Sequence, residues 1–210
     1  MRPWIKICGL TDRRGLEAAL DAGASAIGFV FAASPRRIDP AGAARLAREL
    51  PAGVQAIAVF HRPDARALAA VLDAFVPDAL QLEPEGLDAV PEAWRGRVIP
   101  VFHDHDGVCD EVRAFVARHD VRHVHLEGPG RGGRGVPVDR GRARRLAAEV
   151  PLVLAGGLTP DNVAAAIRAV RPFGVDVSSG VESAPGVKDP QRIRAFCEAA
   201  RAAAAEEMKR

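Results

Sequence analysis

Eight short runs of apolar and β-branched residues recur along this chain, each followed by a longer amphipathic stretch rich in Ala, Leu and Arg. The runs cover Trp4–Cys8 and residues 26–31, 54–60, 78–82, 97–102, 121–127, 151–157 and 173–179. Between them the 3.6-residue spacing of apolar positions predicts helices. These begin at a Thr11 cap and run to about residue 22, stopped by Gly23, then cover 40–50, 64–75, 108–118, 139–149, 160–170 with Thr159 as cap, and 190–205. Only residues 86–94 read as a poor, short helix. Strict strand–helix alternation implies a parallel sheet with right-handed crossovers. Eight such units in 210 residues predict a closed (β/α)8 TIM barrel, one domain spanning 1–210. The competing fold is an open doubly wound sheet, which needs a reversal of strand order that sequence cannot show.

Composition fits this reading. Apolar residues make up 48% and aromatics only 5%, so the core is aliphatic, as suits parallel strands buried on both faces. The net charge of +2 comes from basic residues spread along the chain and gives no reason to expect nucleic acid. The densest basic stretch, RGRARR at 140–145, reads as an exposed helix face. Cys8, Cys109 and Cys197 are odd in number and show no framework spacing, which favours a reducing compartment over a disulfide scaffold. No run reaches the ~18 apolar residues of a membrane span. The expectation is a cytoplasmic protein, a monomer or homodimer, with a small-molecule partner.

In such barrels the chemistry sits at the C-terminal strand ends and in the loops after them. Cys8 ends the first run. A thiolate there can abstract a proton if nearby cations favour it; the other reading is a small buried hydrophobe. Lys6 alternates with its neighbours and can point inward with Cys8. Glu127 ends the sixth run, where a partly buried carboxyl can serve as a general acid, or else be a solvated loop carboxylate. Together they make an acid–base pair across the barrel. Gly156 and Gly157 in the seventh loop, and Ser179 and Gly180 in the eighth, suit a phosphate, because glycine admits close backbone approach and helix N-termini favour anions. Arg36 and Arg37 are a carboxylate-binding pair or a surface pair. HDHD at 103–106 carries metal-ligand residue types, but it is short and lies in a loop, so no metal is expected there. GPGRGGRG at 128–135 lacks a Walker pattern and reads as a flexible lid.

Four stretches together carry a resemblance: KICGLT at 6–11, GFVFAASPRRI at 28–38, LAGGLTPDNV at 154–163 and GVDVSSGVESAPGVKDP at 174–190. They are similar to the phosphoribosylanthranilate isomerases of tryptophan biosynthesis over nearly the whole chain. The resemblance implies an Amadori rearrangement of a phosphorylated aminoaldose to an aminoketose, with no metal or organic cofactor. It implies that Cys8 takes the proton from the sugar C2, that Arg36 holds the anthranilate carboxylate and that Asp176 contacts substrate. Gly157, Ser179 and Gly180 correspond to the phosphate loops. Two features depart from the family. QLEPEG at 81–86 replaces QLHG, and Glu127 stands where the family has an aspartate acid. The added methylene requires a retracted backbone or another rotamer. The remaining alternatives are another phosphosugar barrel enzyme or a phosphate-binding paralogue without activity.

Overall fold

The protein is described by a computed structural model covering residues 3–130 and 136–207. Strands β1 (Trp4–Cys8), β2 (Ala26–Val30), β3 (Gln55–Val59), β4 (Ala79–Leu82), β5 (Val98–His103), β6 (Val124–Glu127), β7 (Leu152–Leu154) and β8 (Gly174–Val177) form a closed, all-parallel barrel in sequence order. Pairing of β1 with β8 closes it, with Lys6 opposite Asp176. The helices are α1 (Arg13–Asp21), α2 (Pro40–Ala47), α3 (Ala65–Ala74), α4 (Glu92–Arg95), α5 (Val108–Val116), α6 (Arg140–Ala147), α7 (Val163–Val170) and α8 (Pro190–Glu207).

Four helices start in the same way. Asp12, Asp39, Asp64 and Asp139 sit in extended backbone, and each side chain accepts the N–H three residues on, at 2.7–2.8 Å. Each such cap contributes roughly 1 kcal/mol by satisfying an otherwise orphaned donor. Thr11 is therefore not the cap of α1: the aspartate after it reaches Gly15 N–H. Thr159 does not cap α7 either. Residues 160–162 form a turn held by Asn162, whose side chain accepts from Thr159 N and donates to Gly157 O, so the helix begins at Val163.

Most strands are shorter than the apolar runs suggest, because pairing rather than composition sets their length. The eighth stops at Val177, where Ser178 leaves extended geometry and residues Ser179–Val181 form a 3₁₀ turn. Residues 86–94 divide into a 3₁₀ turn (Pro84–Ala89) and the single turn α4. A small antiparallel pair after the barrel, β9 (Glu182–Ala184) and β10 (Val187–Lys188), is too short to leave an alternating signal.

The main core lies between barrel and helices and is aliphatic with a few Phe rings. Inside the barrel, the floor is a separate apolar patch of Ala26, Ile57, Ala79 and Ile99, against which Trp4 and Val59 pack. Above it the interior turns polar: Lys6, His125 and Asp176 are all but fully buried. Inward positions repeat every second residue. The next layer, at the C-terminal mouth, therefore carries Cys8, His103 and Glu127. No helix among the described residues is long and apolar enough to cross a membrane.

Candidate active site

Two cavities meet at the barrel mouth. The larger, about 540 Å³, has an apolar wall of Val30, Ala32, Ala33, Val59 and Phe60, with Arg36, His61, Glu83 and Gln81 around it. The narrower, about 70 Å³, is lined by the backbone of Ala155–Leu158 and by Val177–Ser179, with Asp176 at its base. Cys8, Glu127 and Ser178 line both and mark the junction.

Cys8 is held at that junction by its neighbours. Ser178 Oγ donates to the Cys8 carbonyl at 3.1 Å. Register sets Gly28 beside Cys8, and a Cβ there would lie 2.8 Å from Cys8 Sγ and 2.9 Å from Lys6 Cε. Glycine at 28 thus makes room for both side chains. Lys6 Nζ donates to Asp176 Oδ2 at 2.7 Å, and His125 Nδ1 lies 3.6 Å from the same oxygen. Burial opposes the charge of Lys6, but Asp176 and Cys8 outweigh it and its affinity for a proton is raised. Asp176, despite burial, is held at about 2 by Lys6 and His125. Burial pushes the Cys8 thiol up, and Lys6 is the largest influence pulling it back. A thiolate at this position would stand beside a fixed cation.

Glu127 is half-buried, and burial together with the charge of Asp176 raises its carboxyl above the ordinary range. That is the direction a general acid requires. Its methylene reaches from the end of β6 into the junction without any break in the strand, since Leu126 still pairs with Leu154.

Arg36 lies across Gly9, whose φ of +75° and lack of a side chain let the guanidinium stem approach; a Cβ would meet Arg36 Cδ at 2.8 Å. Its Nε and Nη2 donate to both Glu182 oxygens at 2.8 Å. Lys188 Nζ also donates to Glu182 at 2.8 Å. The last part of the GVESAPGVKDP stretch therefore clamps Arg36 rather than facing the cavity. That role is not apparent from the motif itself. The sequence carries only a Glu with a Lys six positions on, and the burial that gives the pair its meaning comes from the fold.

Gly156 and Gly157 adopt φ of +83° and +65° and bring their backbone to the narrow cavity, beside Ser179. Gly180 stands behind the wall: a Cβ there would lie 1.9 Å from the Leu158 carbonyl oxygen. Gly180→Ala has to push the two loops apart. We expect it to raise KM about tenfold or more with a smaller effect on kcat, in steady-state kinetics, if these loops grip an anion.

HDHD at 103–106 has a structural role. Asp104 accepts from Arg142 Nε at 2.6 Å and from Asp139 N–H at 2.6 Å, and Asp106 accepts from Arg142 at 3.0 Å, which ties the fifth loop to the start of α6. Among the described residues no group of three or more His, Cys, Asp or Glu is arranged to hold a metal. Arg142 of the RGRARR stretch is used here, while Ala143 and Leu146 face the core. Residues 131–135 of the glycine-rich stretch read as a lid lie outside the described residues.

A sequence profile of the family described as N-(5'-phosphoribosyl)anthranilate (PRA) isomerase matches residues 5–199. The chain belongs to the N-(5'-phosphoribosyl)anthranilate isomerase family. Among relatives so named, one from Paracoccus denitrificans is 45% identical, with 91% of this chain and 94% of the relative covered. One from Bordetella pertussis is 42% identical, covering 92% and 94%. Among solved structures, phosphoribosyl anthranilate isomerase from Thermotoga maritima is 35% identical with a TM-score of 0.82, covering 95% of this chain and 99% of that one. A phosphoribosyl anthranilate isomerase in complex with reduced 1-(o-carboxyphenylamino)-1-deoxyribulose 5-phosphate is 34% identical with a TM-score of 0.79, over the same shares. The isomerase family thus agrees with the barrel and with the resemblance of its motifs.

Proposed function

We propose that this chain catalyses the isomerisation of N-(5'-phosphoribosyl)anthranilate in tryptophan biosynthesis, with Glu127 as acid and Cys8 as base. The observation that carries the reading is the placement of these two groups at the junction of two unlike cavities. One is small and walled by glycine backbone, suited to a phosphate. The other is larger, apolar and flanked by Arg36, suited to an aromatic ring bearing a carboxylate. The sugar then lies between them, against both Cys8 and Glu127.

The chemistry follows from that arrangement. Glu127 gives its proton to the ribose ring oxygen. The bond from that oxygen to C1 breaks as the anilino nitrogen forms a double bond to C1. The Cys8 thiolate takes the C2 proton, and its electrons neutralise the iminium. The resulting enol becomes the ketone as C1 gains a proton from the Cys8 thiol and the 2-hydroxyl gives one to the Glu127 carboxylate, which restores both groups. Lys6 remains charged throughout and steadies the thiolate. Arg36, fixed by Glu182, offers its remaining N–H groups to the ring carboxylate, and Asp176 holds Lys6 in place below the sugar.

Glu127 has to be protonated and Cys8 ionised when turnover starts. The profile of kcat/KM is therefore level between their titrations and falls on either side, with the low-pH limb breaking where Glu127 titrates. The test is loss of substrate fluorescence with purified protein, alongside restored growth without tryptophan in a strain lacking the isomerase. Glu127→Asp should retain measurable turnover, whereas Glu127→Gln should lose about 10²-fold or more in kcat. Equal turnover by Glu127→Gln and the parent would remove Glu127 from the reaction.

A further inference from the structure

His61, Glu83 and His103 form a cluster on the rim that the steps above do not use. Glu83 Oε1 contacts His61 Nδ1 and lies 3.6 Å from His103 Nε2. Glu83 occupies the stretch where this chain reads QLEPEG. Although burial disfavours its charge, His103 and His61 hold its carboxyl down at about 2, so it is a fixed anion. His103 is next to Glu127 on the β5–β6 ladder, in direct register. It lines neither cavity at the mouth. Its Nδ1 is buried and has no hydrogen-bond partner among the described residues.

We propose that His103, anchored by Glu83, is a positioning residue for Glu127: a ring set beside the acid on the same ladder rung that confines its longer side chain and, when protonated, biases its charge. The inference rests on reading Glu127 as the acid. The physical need is specific to this chain. A glutamate has one more rotatable bond than an aspartate, so more freedom must be removed to keep its carboxyl at the junction. A ring one ladder rung away, itself held by Glu83, narrows the space open to that carboxyl while leaving the substrate faces of the cavities clear.

The surrounding charges agree with that role. Contact with Glu83 is the main influence raising His103, with Glu127 adding to it. On Glu127, burial, Asp176 and Glu83 favour the protonated form, and His103 and Lys6 oppose it. His103 therefore limits how far the acid is raised. Without it, Glu127 would hold its proton to higher pH.

The experiment is carbon NMR titration of the Glu127 carboxyl, combined with pH–rate profiles, on the full chain. In the unaltered protein the Glu127 resonance should show a second inflection where the His103 ring titrates. In His103→Gln the main inflection should move up by about one pH unit, and His103→Lys, which restores a cation, should bring it back. The low-pH limb of kcat/KM should follow, with KM little changed. Absence of the second inflection in the unaltered protein overturns the proposal even if the variants do not fold. An unmoved Glu127 inflection in a folded His103→Gln protein overturns it as well. If the resonance moves and the rate limb does not, the coupling stands and it is the use of Glu127 as acid that fails.

Discussion

Cys8→Ala should abolish turnover, lowering kcat by about 10²–10⁴-fold, while the protein still folds and still binds a reduced product analogue. The change removes a sulfur from a site already packed against Lys6 and Gly28 and leaves the backbone contact with Ser178 intact. The two ionisable groups beside it cannot replace the thiolate. Lys6 is an ammonium committed to Asp176, and Glu127 is the group that must begin the cycle protonated. Cys8→Ser should be nearly as inactive, since a hydroxyl beside Lys6 ionises far less readily than a thiol. Stopped-assay or fluorescence turnover gives kcat, and calorimetry with the analogue gives binding. Activity within about threefold of the parent in Cys8→Ala would remove the thiol from the mechanism.

Asp176→Asn should produce the largest loss of stability of any single change at the site, about 3–5 kcal/mol. The substitution keeps the shape and removes the charge. Lys6, completely buried, then has no counter-ion and must either lose its proton or carry an uncompensated charge. His125 loses its partner at the same time. In a domain of this size the cost corresponds to a melting temperature lower by roughly 10 °C. A Lys6→Met, Asp176→Leu double variant should recover much of it, because replacing both ions by apolar groups leaves nothing unpaired. Thermal denaturation followed by circular dichroism measures both. A single variant that melts with the parent would show that Lys6 carries no penalty when its counter-ion is removed.

The same pair gives a sign to the pH dependence. Asp176 has a folded value of about 2, below the ordinary aspartate value, so its contribution is present above about pH 4 and is lost as pH falls through 2. Glu83, also held at about 2, acts in the same direction. Both make acid the destabilising side, and the Asp176→Asn protein should show a shallower acid transition than the parent.

The alternation of eight strand-like runs with amphipathic helices is a local property, written in residue spacing, and it predicted the eight units of the barrel, while the pairing of β1 with β8 decided against an open sheet. The same logic placed Cys8 and Glu127 at the barrel mouth, since the C-terminal strand ends of such a barrel face it. Helix starts were less legible. An Asp and a neighbouring Thr both have capping chemistry, and only the path of the chain decides that Asp12, not Thr11, reaches the N–H of Gly15. Asn162 displaced Thr159 for the same reason.

What the tertiary structure alone decided were the pairings between distant segments. Lys6 meets Asp176 across 170 residues, and Arg36 meets Glu182 across 146. HDHD, which resembles a metal site when read in line, is a latch on α6 once Arg142 is in place. Charge and hydrogen bonding depend on distance in space, and closing β1 against β8 is what makes these distances short. Sequence states which side chains are available; barrel closure determines which of them face one another and therefore which protons can move.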